Sequence, residues 1–281
     1  MISLEYQAAG ENLAGLVSSF YRFDYEGDNL SELERADRAQ FRFQLRGTGH
    51  YRFSAGHKIT GHPVTIFGPT TAPVTAIADC PQTIVGWGME PAGWAALMGS
   101  DSERWVDNAF DASDVFGDTV IELRQRLIET ADMQSQFDIM QRAATDIFAK
   151  LDHAPFEFTA IVDSWLIEDQ DHVLATLIDA SGLSQRQLER MTKRYYGLPP
   201  KKLARKYRAL HAAQILAQGD SLDDSELGLA FYDQSHLVRE VKQFTGMTPT
   251  QLRAGKAELT KATMRGRKAM DGKVSKLISD S

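Results

Sequence analysis

The 281-residue chain is long enough for two domains with separate cores, and its 43% apolar and 25% charged content is the profile of a soluble globular protein. The lone Cys80 excludes an intrachain disulfide framework and suits a reducing compartment. The first residues lack the basic and apolar runs of a signal peptide, and no segment reaches the roughly 20 apolar residues of a membrane span, so a cytoplasmic location is expected. The net charge of -7 is unevenly spread: residues 172–281 hold 19 Lys+Arg against 11 Asp+Glu, whereas residues 1–171 hold 12 against 27. An acidic front with a basic back is the asymmetry expected when only one part of a chain meets phosphate.

The first third reads as β structure. Phe41, Phe43 and Leu45 alternate with Arg42, Gln44 and Arg46, the period of a half-buried strand. Tyr51 and Phe53 repeat the pattern, and Val64–Phe67, Val74–Ala78 and Val85–Met89 follow between Gly- and Pro-rich turns. Many short strands of this kind suggest a small barrel or sandwich. Phe43, Tyr51 and Trp87 are candidate lining residues for a ligand pocket inside it, beside the plainer reading that such aromatic residues, Trp94 included, are core. From Pro91 the period changes to that of helices: Ala92–Met98, then stripes at Val120, Leu123, Leu127 and at Phe137, Met140, Ala144, Ile147, Leu151. These two helices either pack on the β domain or form a dimer seam. Pro155, after Asp152-His153-Ala154, marks the domain boundary. The expected division is a β-rich regulatory unit at 1–153, a helical unit at 154–253 and a Lys/Arg-rich tail at 254–281.

Within the helical unit the sequence repeats itself at an offset of 49 residues. Ser184–Leu203 matches Asp233–Leu252, with identities Gln185/Gln234, Leu188/Leu237, Arg190/Arg239, Lys193/Lys242, Gly197/Gly246, Pro200/Pro249 and Leu203/Leu252. Ser184 with Gln187 predicts a capping box, Asp233 predicts a second N-cap, and Gly197 and Gly246 predict left-handed helix ends. A helix at Val173–Ala180, a Ser181-Gly182-Leu183 turn and a second helix make a helix-turn-helix. Leu188, Met191 and Tyr195 are expected to bury one face of the second helix. Arg186, Glu189, Arg190 and Lys193 then lie on the open side, as in a major-groove reader. A helix from about Pro200 to Gln218 would be roughly 28 Å long. That approaches the ~34 Å of one DNA turn, so both readers could enter successive grooves.

At these residues the chain resembles the AraC/XylS family of bacterial transcription regulators. The carriers are Leu174…Ser181-Gly182-Leu183-Ser184…Leu188…Arg190, the Gly197-Leu198-Pro199 exit, and Asp233-Gln234-Ser235-His236-Leu237…Arg239…Lys242…Gly246-Met247-Thr248-Pro249. The resemblance spans about 100 residues, from Phe156 to Arg253. It implies an α+β chain: an N-terminal cupin-like sensing and dimerisation domain, then an all-α double helix-turn-helix domain that binds double-stranded operator DNA. By position it implies base contacts from Arg186, Glu189, Arg190, Gln234, His236 and Arg239. Arg suits guanine O6/N7, Gln suits adenine and Glu suits cytosine N4. Lys193, Arg194, Lys201, Lys202, Lys242 and Thr248 are implied phosphate contacts. The chain departs from the pattern at Ala230, Leu237 and Val241, and at Ser225 and Glu226, which puts the packing of the second unit in question.

Other chemistry is sparse. His50, His57 and His62 lack a nearby carboxylate cluster and read as turn or surface residues instead of a metal site, so no cofactor is expected. No nucleophile elbow, HExxH or P-loop occurs, and Cys80 lacks basic neighbours that would activate it. The helix from Phe156 to Asp169, acidic and without a basic residue, should face away from DNA and pack through Phe158, Ile161, Val162 and Trp165. Lys256, Lys261, Arg265, Arg267, Lys268, Lys273 and Lys276 make the tail either a phosphate-attracting or a solvated, partly disordered end. A small-molecule effector, RNA polymerase and a second copy of the chain are the remaining expected partners. The competing reading is a helix-turn-helix protein that binds protein as an antagonist, with weak or no DNA binding.

Overall fold

Ten strands occur among the described residues of the computed structural model, which are 1–151, 154–169, 172–222, 231–254 and 258–281. They are β1 (Ile2–Ala8), β2 (Val17–Tyr25), β3 (Leu30–Glu34), β4 (Gln40–Arg46), β5 (His50–Phe53), β6 (Lys58–Thr60), β7 (Val64–Phe67), β8 (Val74–Ala78), β9 (Gln82–Met89) and β10 (Ala109–Asp111). One sheet runs β1-β2-β9-β4-β7-β10 and the other β3-β8-β5-β6, with every pairing antiparallel. The expected cupin-like unit is therefore a two-sheet sandwich and not a closed barrel.

Strand alternation decides which side chains meet which layer. Phe41 and Phe43 of β4, Phe20 of β2 and Val85, Trp87 and Met89 of β9 enter a core shared with the helices that follow. Phe41 stacks on Trp87 with ring centroids 4.5 Å apart. The intervening residues, Gln40, Arg42 and Gln44 of β4 with Tyr21 and Ile84, line a cavity on the other face, opposite Tyr51 and Ala76. This corrects the pocket expectation: Phe43 (0% exposed) and Trp87 (1%) are plain core, as is Trp94 (1%), and only Tyr51 of the expected trio lines the cavity. Each fully buried aromatic of this core contributes on the order of 2–3 kcal/mol.

The next helices are α1 (Pro91–Met98), α2 (Ser113–Phe116), α3 (Asp118–Glu129) and α4 (Met133–Phe148). Val120, Leu123 and Leu127 of α3 and Phe137, Met140, Ala144 and Phe148 of α4 are buried against the six-stranded sheet. Their stripes are thus used within the chain instead of forming a seam between copies. Asp132 caps α4 by accepting from the Ser135 N–H at 2.7 Å.

The helical unit comprises α5 (Phe156–Glu168), α6 (Leu174–Ser181), α7 (Gln185–Tyr196), α8 (Pro200–Gln218), α9 (Gln234–Thr245) and α10 (Pro249–Arg253). The anticipated caps are present. Ser184 and Gln187 form a capping box, Asp233 accepts from the His236 N–H at 2.6 Å, and Gly197 and Gly246 end their helices at φ +81° and +77°. Only glycine adopts that backbone without strain. The buried stripe of α7 differs from expectation: Leu188, Thr192 and Tyr196 are buried, while Met191 and Tyr195 are half-buried. The Thr192 hydroxyl is satisfied by the Leu188 carbonyl at 3.0 Å, so a threonine serves on an apolar face. Phe158, Val162 and Trp165 of α5 are buried as expected, with Ile161 half-buried. Ser225, Glu226 and Ala230 lie outside the described residues.

The segment after Arg253 overturns the expectation of a solvated end. It forms α11 (Glu258–Lys268) and α12 (Lys276–Ser279), and Leu259, Ala262, Met264, Met270, Leu277 and Ile278 are buried. Helix α11 lies across β1 and β3, with Thr260 Oγ1 donating to the Leu33 carbonyl at 2.9 Å and Gly266 facing the Tyr6 ring. Sequence periodicity hid this because α11 carries the half-buried Lys261 and the exposed Arg265 and Lys268 between the apolar positions.

Candidate nucleic-acid interface

Helices α7 and α9 share their start, their stop and their offer to solvent. Arg186, Arg190 and Lys193 are exposed on α7, Gln234, Arg239 and Lys242 on α9, and Lys201 and Lys202 on the first turn of α8. The intervening α8 is 19 residues long. Its buried Leu203, Tyr207, Leu210, Gln214 and Leu216 hold both units to a common spine. Exposed cations and amides on two helices fixed by one spine are suited to phosphate oxygens and base edges.

Four expected contacts are differently placed. Arg194 turns to the β domain, its Nε donating to the Gly99 carbonyl at 3.0 Å and lying 3.3 Å from Ser102 Oγ. Thr248 is the N-cap of α10 and forms a capping box with Gln251. Glu189 is half-buried and accepts from Gln185 Nε2 at 3.0 Å. The ring of His236 accepts from the Tyr232 N–H at 3.3 Å and lies 3.7 Å from the Glu240 carboxylate, which Arg205 holds at 2.6 Å. Helix α9 thus uses His236 in its own support, whereas Arg239 and Gln234 stay open.

The C-terminal ends of both readers rest on the β domain. Gly197 faces Pro69, Thr71 and Val106, and Gly246 faces Leu33 and Pro73, while the Ala36 N–H donates to the Phe244 carbonyl at 2.7 Å. Lys206 of α8 is buried at 2% exposure, and its Nζ donates to the Asp37 carbonyl at 2.9 Å and the Thr70 carbonyl at 2.8 Å. Burial pushes the Lys206 ammonium down to about 7, against partial support from Asp37. A neutral amine can still donate two hydrogen bonds, which is the number it makes. Arg38 reaches Glu90 and, through Nε, the Tyr207 hydroxyl at 3.0 Å.

Asp37 is the node of this contact. Its carboxylate takes two hydrogen bonds from Arg267 of α11, at 3.1 and 2.6 Å, and its main chain bonds Thr70 and Lys206. Burial alone would raise its pKa, but the Arg267 and Arg35 charges and the Arg267 hydrogen bonds win and hold the carboxyl well below the usual range. None of Asp37, Arg38, Lys206 or Arg267 was singled out from sequence as an interdomain contact. Lys206 did carry a signal, since it falls within the apolar stripe Leu203, Tyr207, Leu210.

The inter-sheet cavity lies beside this node. Arg42 crosses it, pairing with both Glu34 oxygens at 2.9 and 2.5 Å above the Phe67 ring. His50 lines the cavity, His57 stacks on Phe53 at 4.6 Å, and His62 Nδ1 lies 3.3 Å from Asp111. The three histidines therefore occupy three separate settings.

Comparison with known proteins matches the same segment. A family described as a helix-turn-helix domain fits residues 177–255. The chain is 34% identical over 91 residues to the bifunctional transcriptional activator/DNA repair enzyme Ada of Escherichia coli (strain K12), covering 32% of this chain and 26% of Ada. It therefore spans about a quarter of that relative's length. The crystal structure of an apo form of ToxT from Vibrio cholerae strain SCE256, carrying one lysine-to-alanine substitution, superposes with a TM-score of 0.50 at 10% identity. The match covers 88% of this chain and 99% of that one, and so the two share the fold. The duplicated, capped and open-faced helices at residues 177–255 are those of an AraC/XylS-type helix-turn-helix domain.

Proposed function

We propose that the protein is a sequence-specific DNA-binding transcription regulator whose β domain responds to a small-molecule effector. The observation that carries this is the repeated reader: two helices with the same caps and exposed Arg190 and Arg239 at matching positions, set on one buried spine. The description of Ada as a transcriptional activator supports a regulatory role for the shared segment. In this reading Arg186 and Arg190 of the first unit and Gln234 and Arg239 of the second read bases. Lys193, Lys201, Lys202 and Lys242 fix the register on phosphates. Glu189 reads cytosine only if Gln185 releases it.

The regulator works in the cytoplasm on nucleoid DNA as a homodimer. The half-exposed Ile128 and Met133, at the junction of α3 and α4, offer a contact for the second copy. RNA polymerase is the downstream partner of an activator of this kind. No helix among the described residues is long and apolar enough to cross a membrane.

Selection of operator sequences from a random pool by the purified protein tests the reading. An enriched motif is expected at moderate salt, and Arg186→Ala should lose about 1–3 kcal/mol of discrimination at one base position. No enrichment would favour a protein-binding antagonist, and a uniform loss on all DNA would make Arg186 a phosphate contact.

A further inference from the structure

Of the eight tyrosines, Tyr232 alone faces solvent; the other seven are buried or half-buried. It is 94% exposed, and among the described residues only Met1 is a comparably bare large hydrophobic side chain. Its backbone is nevertheless held on both sides. Phe231 before it is buried in the core that α8 and α9 share, and Asp233 after it caps α9. The Tyr232 N–H itself donates to His236 Nδ1 at 3.3 Å. The Glu240 carboxylate lies 3.7 Å from Nε2 of the same ring, and Arg205 fixes that carboxylate through bonds of 2.8 and 2.6 Å. A carboxylate on the Nε2 side favours the proton there and leaves the Nδ1 lone pair for the main chain. Arg205, Glu240 and His236 thus form a line of supports that ends on the amide of an exposed tyrosine. The first unit is built differently. At the 49-residue offset Tyr232 aligns with Leu183, which packs half-buried on its own core, and His236 aligns with Gln187, which closes a capping box on Ser184.

Packing within the chain does not explain a ring left in water, but its place before α9 does. The first residues of a reader helix meet base edges, so the residue before its N-cap lies at the rim of the groove, where the phosphates run. A phenol there can donate its O–H to a phosphate oxygen and lay its ring on the sugar, with no charge of its own. We propose that Tyr232 is a phosphate-contacting residue of the second unit and that His236 is the positioning residue that holds it at the groove rim. The assignment rests on the DNA-binding reading above and gives His236 a part in that binding through Tyr232, without a base contact of its own.

The test uses the full chain on two duplexes, one carrying the motif enriched by selection and one of unrelated sequence, with fluorescence anisotropy over a salt series. Tyr232→Phe, which removes one oxygen, should weaken binding about tenfold on both duplexes and leave base preference and thermal melting unchanged. Its salt dependence should keep the same slope, because a neutral donor releases no counterion, whereas Lys242→Ala should lower the slope by about one. His236→Leu should weaken binding to a similar degree but add little in the Tyr232→Phe background. His236→Asn, whose amide oxygen replaces the Nδ1 acceptor, should restore most of the loss. Unchanged binding by Tyr232→Phe, a changed preference at one base pair or a lower salt slope would overturn the phosphate assignment. Additive losses in the double variant, or no rescue by His236→Asn, would overturn the positioning role of His236. An unsubstituted chain that binds neither duplex would instead overturn the DNA-binding reading itself.

Discussion

Asp37→Ala should destabilise the protein by about 3–5 kcal/mol, because it leaves the Arg267 guanidinium buried with no carboxylate. The substitution removes a side chain that accepts twice from Arg267 and also faces Arg35 in a nearly dry setting. Its main-chain oxygen remains, so the Lys206 bond is not the cause. The loss should concentrate in the contact between α11 and the sandwich. Urea unfolding gives the magnitude, and protease sensitivity near residues 258–268 gives the place. Asp37→Asn, which keeps one acceptor for Arg267 but loses the second acceptor and the charge, should fall between. A loss below about 1 kcal/mol for Asp37→Ala would show that α11 docks by apolar contact alone.

The second large effect is a pH dependence carried by Lys206. Its folded pKa of about 7 lies below its ordinary 10.5, so the unfolded chain binds more protons between those values. Stability should therefore rise with pH across that window, by up to about 1.4 kcal/mol per pH unit, and fall back as pH drops to 7. Asp37, Asp107, Arg35 and Arg38 surround the amine, and the Tyr207 ring lies 5.9 Å away. The buried tyrosines oppose the rise only at the top of this window: Tyr21, Tyr51, Tyr196 and Tyr207 are raised above 10, so stability begins to fall with pH only where tyrosine ionises in the unfolded chain. His211 is lowered from 6.5 and acts below the window. Urea midpoints between pH 7.5 and 9.5 thus isolate the lysine, and Lys206→Met should flatten the slope. A slope unchanged in Lys206→Met would assign the dependence to another group.

The helix-turn-helix half was legible because its rules are local. A serine three residues before a glutamine starts α7, a capping aspartate starts α9, and in each a glycine after the last apolar position and a proline beyond it mark the stop, whatever the helices pack on. The sandwich was legible as β structure but not in its layers. The alternation in β4 shows that Phe41 and Phe43 share a face, yet it cannot tell whether Arg42 opposite them meets water or a second sheet. It meets the second sheet, because Glu34 on β3, the preceding strand in sequence but a member of the other sheet, supplies the counter-charge. Two of the three expected pocket residues are misplaced for the same reason: Phe43 and Trp87 sit on the helix-facing side, and the cavity is lined by their strand neighbours Arg42, Gln44 and Gly88. The interdomain node was out of reach of any local rule, since Asp37 and Arg267 are 230 residues apart. The basic charge of the last 28 residues masked a packed helix whose Arg267 is spent on an internal pair and not on phosphate.

The central claim is that one chain presents two readers to one face of a duplex. Hydroxyl-radical footprinting on the selected operator tests it most directly. The account predicts two protected segments about 10–10.5 bp apart, with Arg239→Ala releasing only the one bound by α9. A single protected segment that Arg239→Ala leaves unchanged would contradict it.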